Sequence, residues 1–357
     1  MTPTPRRGAP AAVPRVRLVD VARESGLSKT TVSAALNGTG RLSPAVREQA
    51  REAARRLGYR PNATARLLRA GHARLIGYFV GEYVGYLESP YFAQLTSATA
   101  TAALREGYAL VLMPTGASRG EWADLPLDAA IIVDPLVDDP LLEDFIAARV
   151  PVAADRSVEG RPGTHWADID IEAAVREVLD HLRAQGARRI AVVVPDVATR
   201  FHLTTMAVYR AWCQEHGVAE QVTLCPHPGN GPVVEAVEHA LAAPERPDAL
   251  FLVAEASPPL VLDAARRLGL SVPGDVLVAC VSEDSSAAHA EPPVTTLSLR
   301  PTEIATQGVE LLIAALESGS QEPTGVLVET RLEIRASSLR RVPDGQPRVV
   351  GPVSPGS

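Results

Sequence analysis

Lys29, Thr30 and Ser33 are polar residues that share the outward side of one short predicted helix. Lys29 is also the only lysine of the chain, which otherwise uses arginine. Hydroxyl and ammonium groups at the start of a helix have the chemistry to hydrogen-bond to base edges and to phosphate oxygens. The alternative interpretation is a solvated helix start without a partner.

Charge is distributed unevenly along the chain of 357 residues, whose net charge is −7. Residues 1–74 hold 15 Lys and Arg against 4 Asp and Glu, which gives this part a net charge of +11. The remainder holds 20 basic and 38 acidic residues, which gives a net charge of −18. This division favours one part that docks on a polyanion and another part that does not.

Three short amphipathic helices are predicted around these polar residues. The first begins at Leu18 and ends at Gly26, and the second follows the N-cap Ser28 and runs to about Asn37. The third begins with a serine-proline pair and lies within residues 43–58, where a glycine ends it. A helix, a tight turn and a second helix that starts with small polar residues form a helix-turn-helix.

The segments DVARESGLSKTTVSAALNG, RLSPAVRE and LGYRPNATARLLR resemble the DNA-binding headpiece of the LacI/GalR repressor family. The resemblance implies a hinge helix that folds when two protomers meet on DNA, with Leu68 as a wedge in the minor groove. One departure is Ala34, which stands where relatives often have an arginine that contacts guanine, so their operator sequences do not carry over. The implied DNA-contacting residues are Leu18, Ser28, Lys29, Thr30, Thr31, Ser33, Asn37, Tyr59, Asn62, Ala65, Leu68 and Arg69.

After Gly71 the sequence changes to short apolar runs that alternate with amphipathic helices, which predicts parallel sheets in two similar halves. Ligands of such folds bind at the carboxyl ends of the strands, so the cleft between the halves is the expected ligand site. The predicted strands are 75–80, 109–114, 129–134, 150–155, 190–194, 222–225, 249–254 and 276–281. The predicted helices are 90–106, 140–148, 171–185, 204–216, 232–243 and 259–268.

The segments SPYFAQL, HLRAQGARRIAVV, LGLSVPGDVLVACV and EPPVTTLSLRP resemble the periplasmic-binding-protein-like core of the same family. The implied fold is a small all-α helix-turn-helix domain with a hinge helix, followed by an α/β core of two doubly wound parallel-sheet lobes. The chain is then expected to cross between lobes near Asp155–Val158, Glu283–Pro292 and Leu316–Glu322. Thr115–Leu127 is too short for a full helix between its strands, which puts the family's N-lobe dimer surface in question.

The positions that bind the ligand in many relatives hold different residues in this chain. Thr205 replaces an arginine, Ala254 and Glu255 replace an Asn-Asp pair, and Ser282 and Glu283 replace two aspartates. Because arginine and carboxylates hold hydroxyl pairs through charge-assisted bonds, these changes argue against an ordinary free sugar as effector. For Tyr91 and Phe92 the alternative is core packing. For Asp134 and Asp155, which follow strands, the alternative is helix capping or water binding. The residues still expected to face the cleft are Tyr91, Phe92, Asp134, Asp155, Thr205, Tyr209, Glu255 and Ser282.

Enzymes, metalloproteins and membrane proteins have little support in the sequence. It contains no glycine-rich phosphate loop, no HExxH and no GxSxG, and Cys213, Cys225 and Cys280 lack the spacing of a zinc site. We therefore predict no catalytic residue, no metal and no cofactor. Residues 1–14 lack the apolar segment of a signal peptide, and no later stretch reaches about 18 apolar residues, so a cytoplasmic protein without a membrane partner is expected.

The predicted domains are a disordered arm (1–15), a helix-turn-helix domain (16–61), a hinge helix (62–71), a two-lobed effector-binding and dimerisation core (72–340) and a flexible tail (341–357). The predicted function is a sequence-specific transcriptional regulator, in our interpretation a repressor. As a homodimer it binds a palindromic operator in double-stranded DNA, with the cleft as the site of any small-molecule effector. The alternative is a small-molecule binding or sensing protein of the periplasmic-binding type, which does not need a basic headpiece.

Overall fold

The computed structural model describes residues 16–36, 38–59, 72–80, 89–114, 119–158, 160–227 and 229–340. The chain divides into two compact units between Ala73 and Arg74. The first unit is the all-α headpiece, and the second is an α/β core. The arm, the hinge helix and the tail that the sequence predicts lie outside the described residues.

The headpiece helices begin and end at capping residues. They are α1 (Leu18–Ser25), α2 (Lys29–Leu36) and α3 (Pro44–Leu57). Gly26 and Gly58 end α1 and α3 with φ of 65° and 64°, a left-handed conformation that glycine adopts without strain. Ser43 caps α3 because its Oγ accepts the N–H of Val46 at 3.4 Å. These bounds confirm the predicted helices.

The headpiece core joins one face of each helix. Val21, Val32 and Ala53 are fully buried in it, and each buried valine contributes about 1.5–3 kcal/mol to the free energy of unfolding. Gln49 Nε2 donates to the carbonyl oxygen of Ser25 at 2.8 Å, which ties α3 to the end of α1. Since Val32 turns one face of α2 inward, the opposite face points to solvent.

The core alternates strands and helices as the apolar runs predict. In chain order it contains β1 (Leu75–Val80), α4 (Pro90–Arg105), β2 (Ala109–Pro114), α5 (Arg119–Trp122), β3 (Ala129–Ile132), α6 (Pro140–Ala148), β4 (Val152–Ala154), β5 (Thr164–Ile169), α7 (Ile171–Ala184), β6 (Ile190–Pro195), α8 (Arg200–His216), β7 (Gln221–Cys225), α9 (Asn230–Ala242), β8 (Ala249–Leu252), α10 (Pro258–Arg267), β9 (Leu277–Val281), β10 (Thr295–Ser298), α11 (Pro301–Ser318), β11 (Thr324–Val328) and β12 (Arg331–Glu333).

The strands form two six-stranded sheets, one in each lobe. The N-lobe sheet has the order β11-β5-β4-β3-β1-β2, and the C-lobe sheet has the order β12-β10-β9-β8-β6-β7. Neighbouring strands are parallel, as predicted, except that β12 runs antiparallel to β10. In both sheets the first strand lies between the second and the third, which creates a crevice at the carboxyl ends of the strands.

The chain crosses between the lobes at places other than the predicted ones. β5 of the N-lobe leads into α7, which packs on α8 and β12 of the C-lobe. β10 of the C-lobe leads into α11, which packs on α4, and β11 leads into β12. The crossings therefore lie at residues 169–171, 298–301 and 328–331. The predictions of Asp155–Val158, Glu283–Pro292 and Leu316–Glu322 are wrong, because sheet membership depends on distant pairing.

The sequence prediction also lacks β5, the last three strands and α11. β5 has the sequence THWADI, and its polar residues do not form the apolar run by which buried strands were predicted. The strand is nevertheless buried along most of its length. Its His165 Nδ1 pairs with Thr324 Oγ1 of β11 at 2.7 Å, and its Asp168 accepts backbone N–H groups. The expectation that 115–127 lacks a full helix agrees with α5, which has four residues.

Candidate functional site: a DNA-binding face and an inter-lobe cleft

The outward face of α2 carries the polar side chains that the sequence singles out. Lys29 and Thr30 are exposed, and Ser33 is half-buried. Ser28 Oγ accepts the N–H of Thr31 at 3.0 Å, and it lies 2.8 Å from the hydroxyl of Thr30 and 2.7 Å from that of Thr31. This hydroxyl cluster fixes the first turn of α2, so that Lys29 and Thr30 are presented to solvent from a rigid helix start.

The other predicted DNA contacts have different placements. Leu18 and Tyr59 are half-buried, and both pack against the headpiece core, so only part of each side chain is available to a partner. The remaining predicted contacts lie outside the described residues; they are Asn37, Asn62, Ala65, Leu68 and Arg69.

Arg47 orders the loop between α2 and α3, and sequence reasoning missed it. Its Nη1 donates to Gly38 O at 3.1 Å, its Nη2 to Gly40 O at 2.9 Å and its Nε to Leu42 O at 3.4 Å. Gly38 and Gly40 have φ of 74° and 76°, so the loop depends on glycine at both places. The guanidinium group thus donates to three carbonyl oxygens of the loop, and the loop beside Arg41 is thereby held in one shape.

Several cations of the headpiece are available to a polyanion. Arg23, Arg55 and Arg56 form ion pairs with Asp20, Glu48 and Glu24. The side-chain cations of Arg17, Lys29 and Arg41 form no ion pair within 4.0 Å in the described part of the chain. Because exposed ion pairs contribute little energy, the paired arginines also remain exchangeable with phosphate.

The N-lobe wall of the cleft is a connected polar network. Asp155 Oδ2 accepts the hydroxyl of Tyr91 at 3.0 Å, and Asp155 Oδ1 accepts the N–H of Asp134 at 2.6 Å. Asp134 adopts a left-handed φ of 50°, which turns its N–H toward that carboxylate. The structure thus brings together three predicted cleft residues, and Asp155 organises them.

Arg156 completes this network, although the sequence analysis did not identify it. Its side chain is 3% exposed, and Nη1 donates to the Tyr91 hydroxyl at 2.9 Å. Nη1 lies 3.5 Å from the carboxylate of Asp155 and 3.9 Å from that of Asp168. Its Cζ lies 5.3 Å from the ring centre of Tyr91 and 5.2 Å from that of Phe201, which belongs to α8 of the C-lobe.

Glu255 is a C-lobe residue that hydrogen-bonds to the N-lobe across the cleft. It follows β8 of the C-lobe, and its carboxyl group accepts hydrogen bonds from the hydroxyl of Ser89 and, at 3.0 Å, from the N–H of Tyr91. Both donors belong to the start of α4 in the N-lobe. Gln94 Nε2 also donates to the carbonyl oxygen of Glu283 at 3.3 Å. Side chains of the protein itself therefore bridge the cleft.

The environment of Glu255 favours its protonated form. The residue is partly exposed as a whole, but its carboxyl group is enclosed, and burial raises its pKa to about 8. The N–H of Tyr91 lowers this pKa, whereas the nearby charges of Glu283 and Asp284 raise it. Glu283 is half-buried, and partial burial raises its pKa above the ordinary value.

A pH titration tests this assignment. Because the pKa of Glu255 is raised from 4.5 to about 8, the folded protein holds a proton that the unfolded chain releases. Its contribution to stability is present below pH 4.5 and is lost as the pH rises through about 8. From about pH 6.5 to 8 we expect the free energy of unfolding to fall by about 2 kcal/mol.

Urea unfolding at several pH values measures how the free energy of unfolding depends on pH. Glu255→Gln should remove most of this dependence between about pH 6.5 and 8. His202 does not interfere in this range, because burial and then the charge of Arg156 lower its pKa to about 4. Equal slopes in the original protein and in Glu255→Gln would show that Glu255 ionises normally.

The remaining predicted cleft residues are less available to a ligand. Tyr209 does not face the cleft, and that prediction is wrong: its hydroxyl donates to Ile190 O at 2.7 Å, at the amino end of β6. Thr205 is fully buried on α8. Phe92 lies in the main apolar core, and Ser282 Oγ accepts the N–H of Asp284 at 3.1 Å in a buried turn.

Two family profiles match the chain. The profile of bacterial regulatory proteins of the lacI family matches residues 17–62, and that of the periplasmic binding protein-like domain matches residues 179–338. The first covers the three headpiece helices, and the second covers most of the C-lobe. No described helix is both long enough and apolar enough to span a membrane.

Whole-chain relatives agree with the profiles. The transcriptional regulator CelR of Thermobifida fusca is 29% identical over 90% of this chain and 98% of its own length. An HTH-type transcriptional regulator of Mycobacterium tuberculosis is 30% identical over 78% of this chain and 83% of its own length.

Two solved structures have a similar fold over most of the chain. The Lac repressor dimer bound to operator and the anti-inducer ONPF aligns with a TM-score of 0.79 at 21% identity, over 92% of this chain and 100% of that one. The CelR–cellobiose complex aligns with a TM-score of 0.62 at 26% identity, over 90% of this chain and 100% of that one. The chain belongs to the LacI family of bacterial regulatory proteins and is a helix-turn-helix transcriptional regulator with a periplasmic-binding-protein-like core.

Proposed function

We propose that the protein is a repressor that binds a palindromic operator as a homodimer, with α2 of each headpiece in a major groove. The observation that carries this proposal is the exposed Lys29–Thr30 face of α2 within a stretch of net charge +11. Two-fold related headpieces require two-fold related half-sites, which is why the operator is expected to be palindromic. A protein that works on DNA belongs in the cytoplasm, and we assign it no enzymatic activity.

Apolar residues at one edge of each sheet support the homodimer. Leu112 on the edge strand β2 is 55% exposed, and Leu224 on the edge strand β7 is 56% exposed. Edge strands with exposed apolar side chains are sites of association in soluble proteins. Next to β2, the outer face of α4 carries small residues such as Ala93 and Ser97, which allow a partner to approach closely.

The hinge is proposed from the family resemblance, since its residues lie outside those that the structure describes. Asn62 caps the helix, Ala65 and Arg69 contact the minor groove, and Leu68 inserts between two base pairs. A helix of about two turns is too short to be stable alone in water. We therefore infer that it forms only when two protomers meet on the operator.

Ordinary free hexoses and pentoses are not the proposed effector of this chain. CelR is known in complex with cellobiose, and its fold is similar. In this chain, however, Asp155, Glu255 and Tyr91 hydrogen-bond to one another or to neighbouring groups of the protein. A sugar has to displace these bonds before it forms its own, which reduces its net affinity.

Alanine substitutions on α2 test the DNA-binding assignment. Lys29→Ala, Thr30→Ala or Ser33→Ala should each weaken binding to the preferred duplex by about 1–3 kcal/mol where the residue contacts a base. Fluorescence anisotropy measures the affinity, with an operator selected from random duplexes and a scrambled duplex of equal length.

Arg266→Ala is the matched control, because it removes an exposed cation from α10 of the core. It should leave both affinities unchanged. Equal losses on operator and scrambled DNA in the α2 variants would mean that these residues contact only phosphate, and unchanged affinities would remove α2 as the recognition helix.

A further inference from the structure

The cleft contains a cation site that the chain fills with its own side chain. We propose that Arg156 is a built-in ligand of the inter-lobe cleft, whose guanidinium group holds the lobes together in place of a small-molecule effector. The inference rests on the proposed function only in taking the two lobes as the effector-binding core. It implies that the lobes of this regulator close without an added ligand.

The surroundings of Arg156 are those of a bound cationic ligand. Its side chain is 3% exposed, and the carboxylates of Asp155 and Asp168 lie 3.5 and 3.9 Å from Nη1. The rings of Tyr91 and Phe201 both lie within the distance at which an aromatic face attracts a cation. A buried charge is tolerated when it is paired and hydrogen-bonded, and Nη1 of Arg156 meets both conditions. Nε of the same group is buried and has no hydrogen-bond partner among the described residues.

The contacts of Arg156 belong to both lobes. Asp155, Asp168 and Tyr91 are N-lobe residues, and they fix the edge of the guanidinium group. Phe201 stands near the start of α8 in the C-lobe, and it contacts the face of the same group. Arginine suits this geometry because its planar cation forms hydrogen bonds at the edge and stacks on rings at the face, which lysine cannot do.

Tyr91 couples this site to the second bridge between the lobes. Its hydroxyl accepts a hydrogen bond from Arg156 and donates one to Asp155, while its N–H donates to Glu255 of the C-lobe. A first-turn N–H has no partner within its own helix. The exchange of the Tyr91 amide hydrogen with solvent is therefore a direct measure of the opening of the lobes.

Removal and chemical replacement of the guanidinium group test the proposal on DNA-free protein. In Arg156→Ala the Tyr91 amide should exchange roughly tenfold faster, because the attraction between Arg156 and Phe201 is lost. Millimolar ethylguanidinium should restore the protection. Ethylammonium carries the positive charge but is not planar, and N-ethylurea is planar but carries no charge. Neither should therefore restore the protection of the Tyr91 amide. Hydrogen exchange with mass spectrometry on fragments that contain residues 89–95 gives the readout.

Phe201→Leu keeps the proposal testable even when Arg156→Ala fails to fold. It retains apolar volume and every N-lobe partner of Arg156, and it removes only the aromatic face in the C-lobe. The Tyr91 amide should again exchange roughly tenfold faster. A melting temperature close to that of the original protein shows that this change is local opening.

Unchanged exchange in Phe201→Leu overturns the proposal. Faster exchange in Arg156→Ala that ethylguanidinium fails to reverse, or that ethylammonium reverses equally well, also overturns it. These measurements use no DNA, so a failure of operator binding leaves their outcome unaffected, and a failure here leaves the DNA-binding proposal in place.

Discussion

Binding to any DNA duplex should weaken by about 10³–10⁵-fold between 50 and 200 mM salt, if a dimer neutralises roughly 6–10 phosphates. The cause is the concentration of positive charge in residues 1–74, whose net charge is +11. Each cation that meets a phosphate releases a condensed counterion, and added salt opposes that release. Anisotropy titrations at four or five salt concentrations, on operator and on random DNA, give the slope.

Single substitutions show which cations of the headpiece contribute to this salt dependence. The guanidinium groups of Arg17 and Arg41 are exposed and form no ion pair among the described residues. Arg41→Ala removes one cation from each protomer, so it should reduce the salt slope of the dimer by about two where both copies contact phosphate. Arg266→Ala in the core should leave the slope unchanged. A flat salt response of the original protein would contradict DNA binding by the headpiece, whatever the affinity at one salt concentration.

The double substitution Leu112→Glu with Leu224→Glu should convert the dimer into monomers. Both leucines are more than half exposed on edge strands, at 55% and 56%. In a two-fold interface the same surfaces meet, so the substitutions place like charges against each other, at a cost of several kcal/mol, or roughly a 10³-fold weaker dimer. Sedimentation at micromolar concentration measures the assembly state. Operator affinity should fall with it, because two half-sites are then no longer bound together.

Leu327→Glu is the matched control for this prediction. Leu327 is 58% exposed on β11, at the opposite edge of the N-lobe sheet. It should leave the protein dimeric and operator binding intact. Dissociation by Leu327→Glu alone would place the interface at that other edge, and a dimeric double variant with full operator affinity would exclude β2 and β7 from the interface.

The headpiece follows from the sequence because local signals define it. Gly26 and Gly58 end helices where a left-handed residue is needed, and Ser43 begins one where a side-chain oxygen is needed. The burial of Val32 then decides which side of α2 faces outward, so Lys29 and Thr30 were identified as exposed from periodicity alone. The same local reasoning predicts the apolar runs that become β1 and β3, since a buried parallel strand requires little beyond apolar side chains.

The contacts of the cleft residues depend on the tertiary structure. Arg156 has the sequence appearance of a surface residue that follows a strand, and its burial depends on Asp168 and Phe201, which come from β5 and α8. β5 is absent from the sequence prediction because its polar residues His165 and Asp168 are buried by partners in β11 and in the turn after β4. The family resemblance implies a cleft position for Tyr209, whereas its hydroxyl lies at the amino end of β6, because a matching motif position does not determine which end of a sheet a side chain reaches. Local sequence fixes capping and periodicity, whereas the partners of buried charges are brought together only by the folding of distant segments.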